Sequence, residues 1–99
     1  MQPDVVVTDV PAETRFEARS TDGQLLGVAV YVRERGAIVF THTEVDESVE
    51  GRGVGSQLAR GALDQVRAAG GSVVALCPFI SAYIARHAEY ADLLATHRA

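Results

Sequence analysis

Midway along the chain, between an apolar run of β type and an apolar run of helical type, stands Glu50-Gly51-Arg52-Gly53-Val54-Gly55-Ser56. Three glycines alternating with Arg52 and Val54 allow positive φ and let the main chain come close to another group. A helix opening near Val54 leaves its first amide N–H groups unpaired and turns the positive end of its dipole outward. A strand, such a loop and such a helix form an anion site, most often a phosphate site. The plain alternative is a tight turn that ends a strand and binds nothing, because short glycine motifs recur widely.

The rest of the chain fits around this loop. Val5 to Val7 and Val10 make an edge strand that Pro11 breaks. Phe16 and Ala18 alternate with Arg15, Glu17 and Arg19, the period of a half-buried strand, and Thr21-Asp22-Gly23-Gln24 reads as a turn. Leu25 to Arg33 is apolar on both alternating sets, which predicts a central strand covered on both faces. After Glu34-Arg35-Gly36, a strand over Ala37 to Val45 places Ile38, Phe40, His42 and Glu44 on one face and Val39, Thr41, Thr43 and Val45 on the other.

Beyond the loop, Val54, Leu58, Ala62 and Val66 recur every fourth residue, predicting a helix to about Ala69 that Gly70-Gly71 stops. Ser72 to Leu76 is of strand type and Cys77-Pro78 ends it. Ile80, Tyr83, Ile84, His87, Tyr90, Ala91 and Leu94 are spaced as a second amphipathic helix. Strand, helix and strand from residue 37 onward make a β-α-β unit with a right-handed crossover, so its two strands run parallel in a sheet otherwise antiparallel. The fold class is α+β, and 99 residues suit one domain over 1–99.

Composition narrows the functions. The lone Cys77 can form no internal disulfide and no metal site by itself, and no His and Cys arrangement has metal-ligand spacing. A net charge of −4 argues against nucleic acid as the main partner. All nine basic residues are Arg, which removes lysine Schiff-base chemistry. No apolar run approaches the roughly 20 residues of a membrane span, and nothing near Met1 resembles a signal peptide, so a cytoplasmic protein is expected, as a monomer or a weak dimer pairing through Val5 to Val7.

The order of elements, the loop after Val45, His42-Thr43-Glu44-Val45, the strand into Cys77-Pro78-Phe79, and Tyr83 followed by His87, Glu89 and Tyr90 together resemble the GNAT superfamily of acetyl-CoA-dependent N-acetyltransferases, in its short branch of about this length. The similarity covers roughly residues 15 to 94. Where the family has Gln or Arg at the first motif position, this chain has Glu50, which with Glu44, Asp46 and Glu47 puts four carboxylates near the expected phosphate site. If they face solvent, screening keeps the repulsion small.

The resemblance implies acetyl-CoA as co-substrate and an amine as acceptor. The pyrophosphate would lie on the amides of Gly51, Arg52, Gly53, Val54, Gly55 and Ser56, with the Arg52 guanidinium as charged partner. Pantetheine would pair with the backbone at Glu44 and Val45 between two splayed parallel strands, in the manner of an added strand. The resemblance also places Tyr83 where the superfamily often has a tyrosine that protonates the departing thiol.

His42 and Glu44, two residues apart on one strand face, are the first and second candidates for general base; a histidine filling a sheet face by hydrogen bonding is the alternative. Cys77, between a strand end and a helix start, is either a thiol activated by the helix dipole or a buried inert one. By periodicity Tyr83 is equally a core residue, His87, Glu89 and Tyr90 are structural, and His97 and Arg98 form a frayed end. Two other functions compete. One is a non-catalytic acyl-CoA-binding or regulatory module, favoured by a chain that ends soon after the second helix. The other is a phosphate-binding P-loop, disfavoured because Ser56-Gln57 follows Gly55 where Lys-Ser or Lys-Thr is required.

Overall fold

Proline at position 11 ends the first strand, β1 (Val5–Val10), in a short 3-10 turn, and the chain returns as β2 (Arg15–Ser20), β3 (Leu25–Glu34) and β4 (Ala37–Val45). A second 3-10 turn at Glu47–Val49 leads into α1 (Val54–Ala68), followed by β5 (Ser72–Ala75), α2 (Pro78–Arg86) and a 3-10 segment at Ala88–Leu93. The computed structural model describes residues 4–95, so His97 and Arg98 lie outside the described residues. The sheet order is β1-β2-β3-β4-β5, antiparallel except for the parallel pair β4 and β5 that the α1 crossover joins.

One apolar core lies between the sheet and the helices. Phe16, Tyr31 and Phe40 on three adjacent strands form an aromatic group with ring centroids 5.4, 6.0 and 6.3 Å apart. The stripe Val54, Leu58, Ala62, Leu63 and Val66 of α1 is buried against the same core, to which Ile80, Tyr83 and Ile84 of α2 also belong. Each fully buried large side chain contributes roughly 1.5–3 kcal/mol.

All the helices among the described residues pack on that one face, and this corrects two expectations. The first is that β3 is covered on both sides: Val28 and Val30 are only half-buried and Val32 is exposed. An antiparallel sheet tolerates one face open to water, since its hydrogen bonds are satisfied within the sheet. The second correction concerns β4. Val30 opposes His42 while Tyr31 opposes Phe40, so Thr41 is an extra residue, a β-bulge. The bulge shifts the alternation by one, leaving Thr43 and Val45 on the core side with Ile38 and Phe40, and His42 and Glu44 on the open face.

The second helix is also shorter than its apolar spacing predicts. His87 leaves the helical region at φ −129° and ψ 81°. Its ring Nδ1 donates to the Tyr83 carbonyl at 2.8 Å, taking the acceptor that a continuing helix would offer its own amide. The chain goes on as a 3-10 segment that still turns Tyr90 and Leu93 into the core. Arg67 of α1 fastens this segment by bonds to Asp92 and to the Glu89 carbonyl.

On the open face, Glu17 is buried between two guanidiniums. Arg15 Nε and Nη2 donate to one carboxylate oxygen at 2.9 and 2.7 Å, and Arg19 Nε and Nη2 to the other at 3.1 and 2.9 Å. The Arg15 hydrogen bond is the largest influence and, with Arg19, outweighs burial, holding the Glu17 carboxyl below its ordinary pKa. A depressed carboxyl stabilises the fold above its unfolded pKa, and the contribution disappears as pH falls through the folded value. Glu17→Gln should therefore lower the urea midpoint at neutral pH, with the gap to wild type closing as the solution is acidified below the ordinary carboxylate range. Urea titrations at a series of pH values check this.

Candidate active site

The parallel pairing of β4 and β5 runs only from Ala37 opposite Ser72 to Phe40 opposite Ala75. There the amides of Leu76 and Cys77 both donate to the single carbonyl of Phe40, each at 3.0 Å. Two donors on one acceptor halt the ladder, and Pro78, which has no N–H, starts α2. β4 continues through residues 41–45 paired with β3 alone, so the two strands part into a cleft beside its free edge.

The loop after β4 closes one end of this cleft. Asp46 accepts from the Ser48 amide at 2.8 Å and from its hydroxyl at 2.7 Å, fixing the 3-10 turn, and Arg52 N donates to Val49 O at 3.2 Å. Gly51 and Gly53 take φ of +81° and +82°, the left-handed region that other residues avoid. Gly53 is the N-cap of α1, and no side chain caps the helix; the first intrahelical bond runs from Gln57 N to Gly53 O at 3.0 Å. The opening turn of α1 lines a cavity of about 400 Å³ together with Thr43, Val45, Glu50 and Phe79.

Gly55 serves differently from its two neighbours. It lies inside α1, and a Cβ there would come within 2.8 Å of the Phe79 ring. Its lack of a side chain is what admits Phe79 onto the first turn of the helix. Phe79, 41% exposed, joins Thr43 and Val49 as cleft residues to which the sequence pattern gave no site role. The available signal was its position off the Ile80, Tyr83 and Ile84 stripe, directly after the proline that starts the helix.

The residues proposed for chemistry fall into three places. His42 Nε2 donates to Glu44 Oε2 at 2.8 Å, with side chains 58% and 70% exposed, on the open face beside the free edge of β4. Neutral His42 with Nε2–H so engaged keeps a lone pair on Nδ1. Cys77 is only 3% exposed, and its Sγ lies 3.2 Å from Thr43 Oγ1, a contact that spans the cleft from α2's N-cap to β4. Tyr83 is not among the cleft's lining residues: its ring stacks on His87 with centroids 3.9 Å apart. Burial, opposed by the Arg60 charge, raises its pKa, so the phenol is neutral.

Around the loop, Glu44, Asp46, Glu47 and Glu50 are all exposed. Asp46 is held below its ordinary pKa by the Ser48 backbone and hydroxyl bonds, and Glu50 stands on the cleft rim. The exposed Arg52 guanidinium makes no ion pair with a described residue. Among the described residues no three His, Cys, Asp or Glu side chains gather as a metal site, and no helix is long and apolar enough to cross a membrane.

A mixed sheet whose parallel pair parts beside an uncapped helix N-terminus is a GNAT-like α+β architecture. A GCN5-like protein from Staphylococcus aureus, solved by solution NMR, has this fold, with a TM-score of 0.68 at 20% identity over 94% of this chain and 96% of that one. The family model for GCN5-related N-acetyl-transferases matches residues 15–93. The chain therefore belongs to the GCN5-related N-acetyltransferase family. None of the curated proteins compared with it matches.

One contact behind the cleft gives a stability test. Tyr90 Oη donates to Asp64 Oδ1 at 2.7 Å, joining the C-terminal segment to α1. Burial first, then this bond, pushes the Tyr90 phenol up to about 12. Tyr90→Phe should cost about 1 kcal/mol in chemical denaturation at neutral pH. Because a raised pKa stabilises below the unfolded value and is lost through the folded one, the wild-type advantage should vanish as pH rises from about 10 toward 12.

Proposed function

We propose that the chain, working as one domain over 1–99, is an acetyl-CoA-dependent N-acetyltransferase. The observation that carries this is the parting of β4 and β5 at the Phe40 carbonyl, immediately beside the uncapped first turn of α1. The residues present fit the co-substrate: a Cβ placed on Gly51 would meet nothing within 4 Å, so the loop backbone is open. The amides of Gly51 and of Gly53 to Ser56 would receive the pyrophosphate, the Arg52 amide being taken by the Val49 carbonyl; the Arg52 guanidinium would add charge-assisted bonds, and the free backbone edge at Glu44 and Val45 would hold the pantetheine arm.

Acetyl-CoA, when bound, supplies the thioester: the amine nitrogen gains the acetyl carbon, the carbon–sulfur bond breaks, and the thiol leaves with a proton that the amine gave up. His42 takes a proton from the acceptor at Nδ1, and Glu44 orients the ring through Nε2 and balances its charge. The free edge of β4 confines the reacting groups beside Thr43. Buried Cys77, bonded to Thr43, shapes the floor of the cleft and enters no step. Tyr83 stacks on His87 at the end of its own helix and enters no step.

A non-catalytic acyl-CoA-binding module is the second reading, favoured by Tyr83 lying away from the cleft lining. Both readings require cofactor binding. Acetyl-CoA at 100 times its Kd should raise the melting temperature by roughly 10–20 °C, and Gly53→Asp, which puts a side chain and a charge at a positive-φ position, should abolish the rise. No rise at millimolar acetyl-CoA or CoA ends both readings. Turnover separates them. With a pool of amines the transferase releases CoA above buffer hydrolysis, and His42→Ala should lower kcat by about 10²- to 10⁴-fold while cofactor stabilisation stays intact.

A further inference from the structure

The open face of the sheet carries a second concavity that the cofactor reading does not use. It has a volume of about 260 Å³, and Arg15, Leu25, Val28 and Glu44 line it. Glu17, Val28 and Glu44 stand opposite one another on β2, β3 and β4, so they form one row across the strands. Arg15 reaches along β2 into this row through its bonds to Glu17. The concavity thus has a cationic wall at Arg15, an apolar floor at Val28 and Leu25, and an anionic side at Glu44 and Asp46, the latter already accepting from Ser48.

The charges at the two walls are not cancelled in the same way. Arg15 and Arg19 share the single Glu17 carboxylate, so that end keeps a net positive charge. Arg15 Nη1 has no hydrogen bond to a described residue, and the side chain is 30% exposed. Among the described residues Glu44 is shared only with His42. β2 and β4 are separated by two strand spacings, roughly 10 Å. Arg15 and Glu44 line the same concavity, so one ligand can meet a guanidinium and a carboxylate, the pair that the carboxylate and amine of an amino acid match.

We propose that this concavity is the acceptor subsite and that the acceptor is a short amino acid with an aliphatic chain. Its carboxylate lies on Arg15, its chain on Val28 and Leu25, and its amine at Glu44 and His42. The proposal rests on the transferase reading, and it makes the products an N-acetylamino acid and the free CoA thiol. The nitrogen–acyl bond forms as the thioester carbon–sulfur bond breaks, and of the two protons the ammonium sheds, one leaves on the thiol and one through His42 to solvent. A diamine or polyamine would set a second cation against Arg15, and a lysine side chain brings no carboxylate to match it.

The test uses leucine, leucinamide and 3-methylbutylamine, which share the chain but not the carboxylate, on the unmodified protein. Leucine should be acetylated with a kcat/KM at least about tenfold above the other two. Titration of leucine into labelled protein, read by NMR, should shift the Arg15 Nε–H signal and the Val28 and Glu44 amides whether or not acetyl-CoA is present. Arg15→Gln should raise the KM for leucine about tenfold or more and leave the KM for acetyl-CoA unchanged. Equal use of leucinamide overturns the proposal. So does an absence of leucine-induced shifts in protein that acetyl-CoA still stabilises, which leaves the transferase reading standing. Leucine-induced shifts in protein indifferent to acetyl-CoA would sink the transferase reading and overturn the acceptor assignment with it.

Discussion

The Phe40 carbonyl, taking the amides of both Leu76 and Cys77, is the point on which the arrangement depends. In a regular parallel ladder each carbonyl serves one amide, and β5 would have run on beside β4 to Val45. Double acceptance stops the ladder one residue after Ala75, and Pro78 makes the stop permanent because it cannot donate. β4 is left with half of its backbone groups satisfied by β3 and the other half facing a gap. Unpaired N–H and C=O groups at such an edge are a template for another extended chain, and in this chain that edge stands beside the N-terminus of α1.

Placement of the helices on a single face sets the rest. α1 and α2 share one core with the aromatic group of Phe16, Tyr31 and Phe40, and the opposite face stays open. The bulge at Thr41 then decides which groups stand where. Without it, His42 and Glu44 would point beneath α1 into the apolar core, where burial of both would require desolvating two polar groups. With it, Thr43 and Val45 face inward and the imidazole and carboxylate stand in solvent at the rim. One inserted residue thus sorts the core-facing side chains of β4 from the solvent-facing ones.

The loop carboxylates show how an unfavourable-looking charge count becomes tolerable. Glu44, Asp46, Glu47 and Glu50 are exposed, and Asp46 is occupied by Ser48 in holding the 3-10 turn. Solvent screening would reduce their effect on any anion brought to the α1 amides, while Arg52 keeps its guanidinium out of any ion pair with described residues. Gly53 and Gly55, separated only by Val54, answer different demands: one a left-handed N-cap, the other the close seating of the Phe79 ring.

Local rules were enough to read the order of strands and helices, the positive φ at Gly51 and Gly53, the α1 stripe and the parallel crossover. Each depends on periodicity or on a residue's own backbone preference, and those are written in the chain. The bulge, the bare face of β3, the break at His87 and the seat of Phe79 were decided only in three dimensions. Thr41 is extra only relative to the β3 strand it pairs with, and β3 is open only because both helices found their core on the other side. His87 breaks its helix by a ring bond that competes with a backbone bond of similar strength, so the spacing of apolar residues continues through a helix that has already ended.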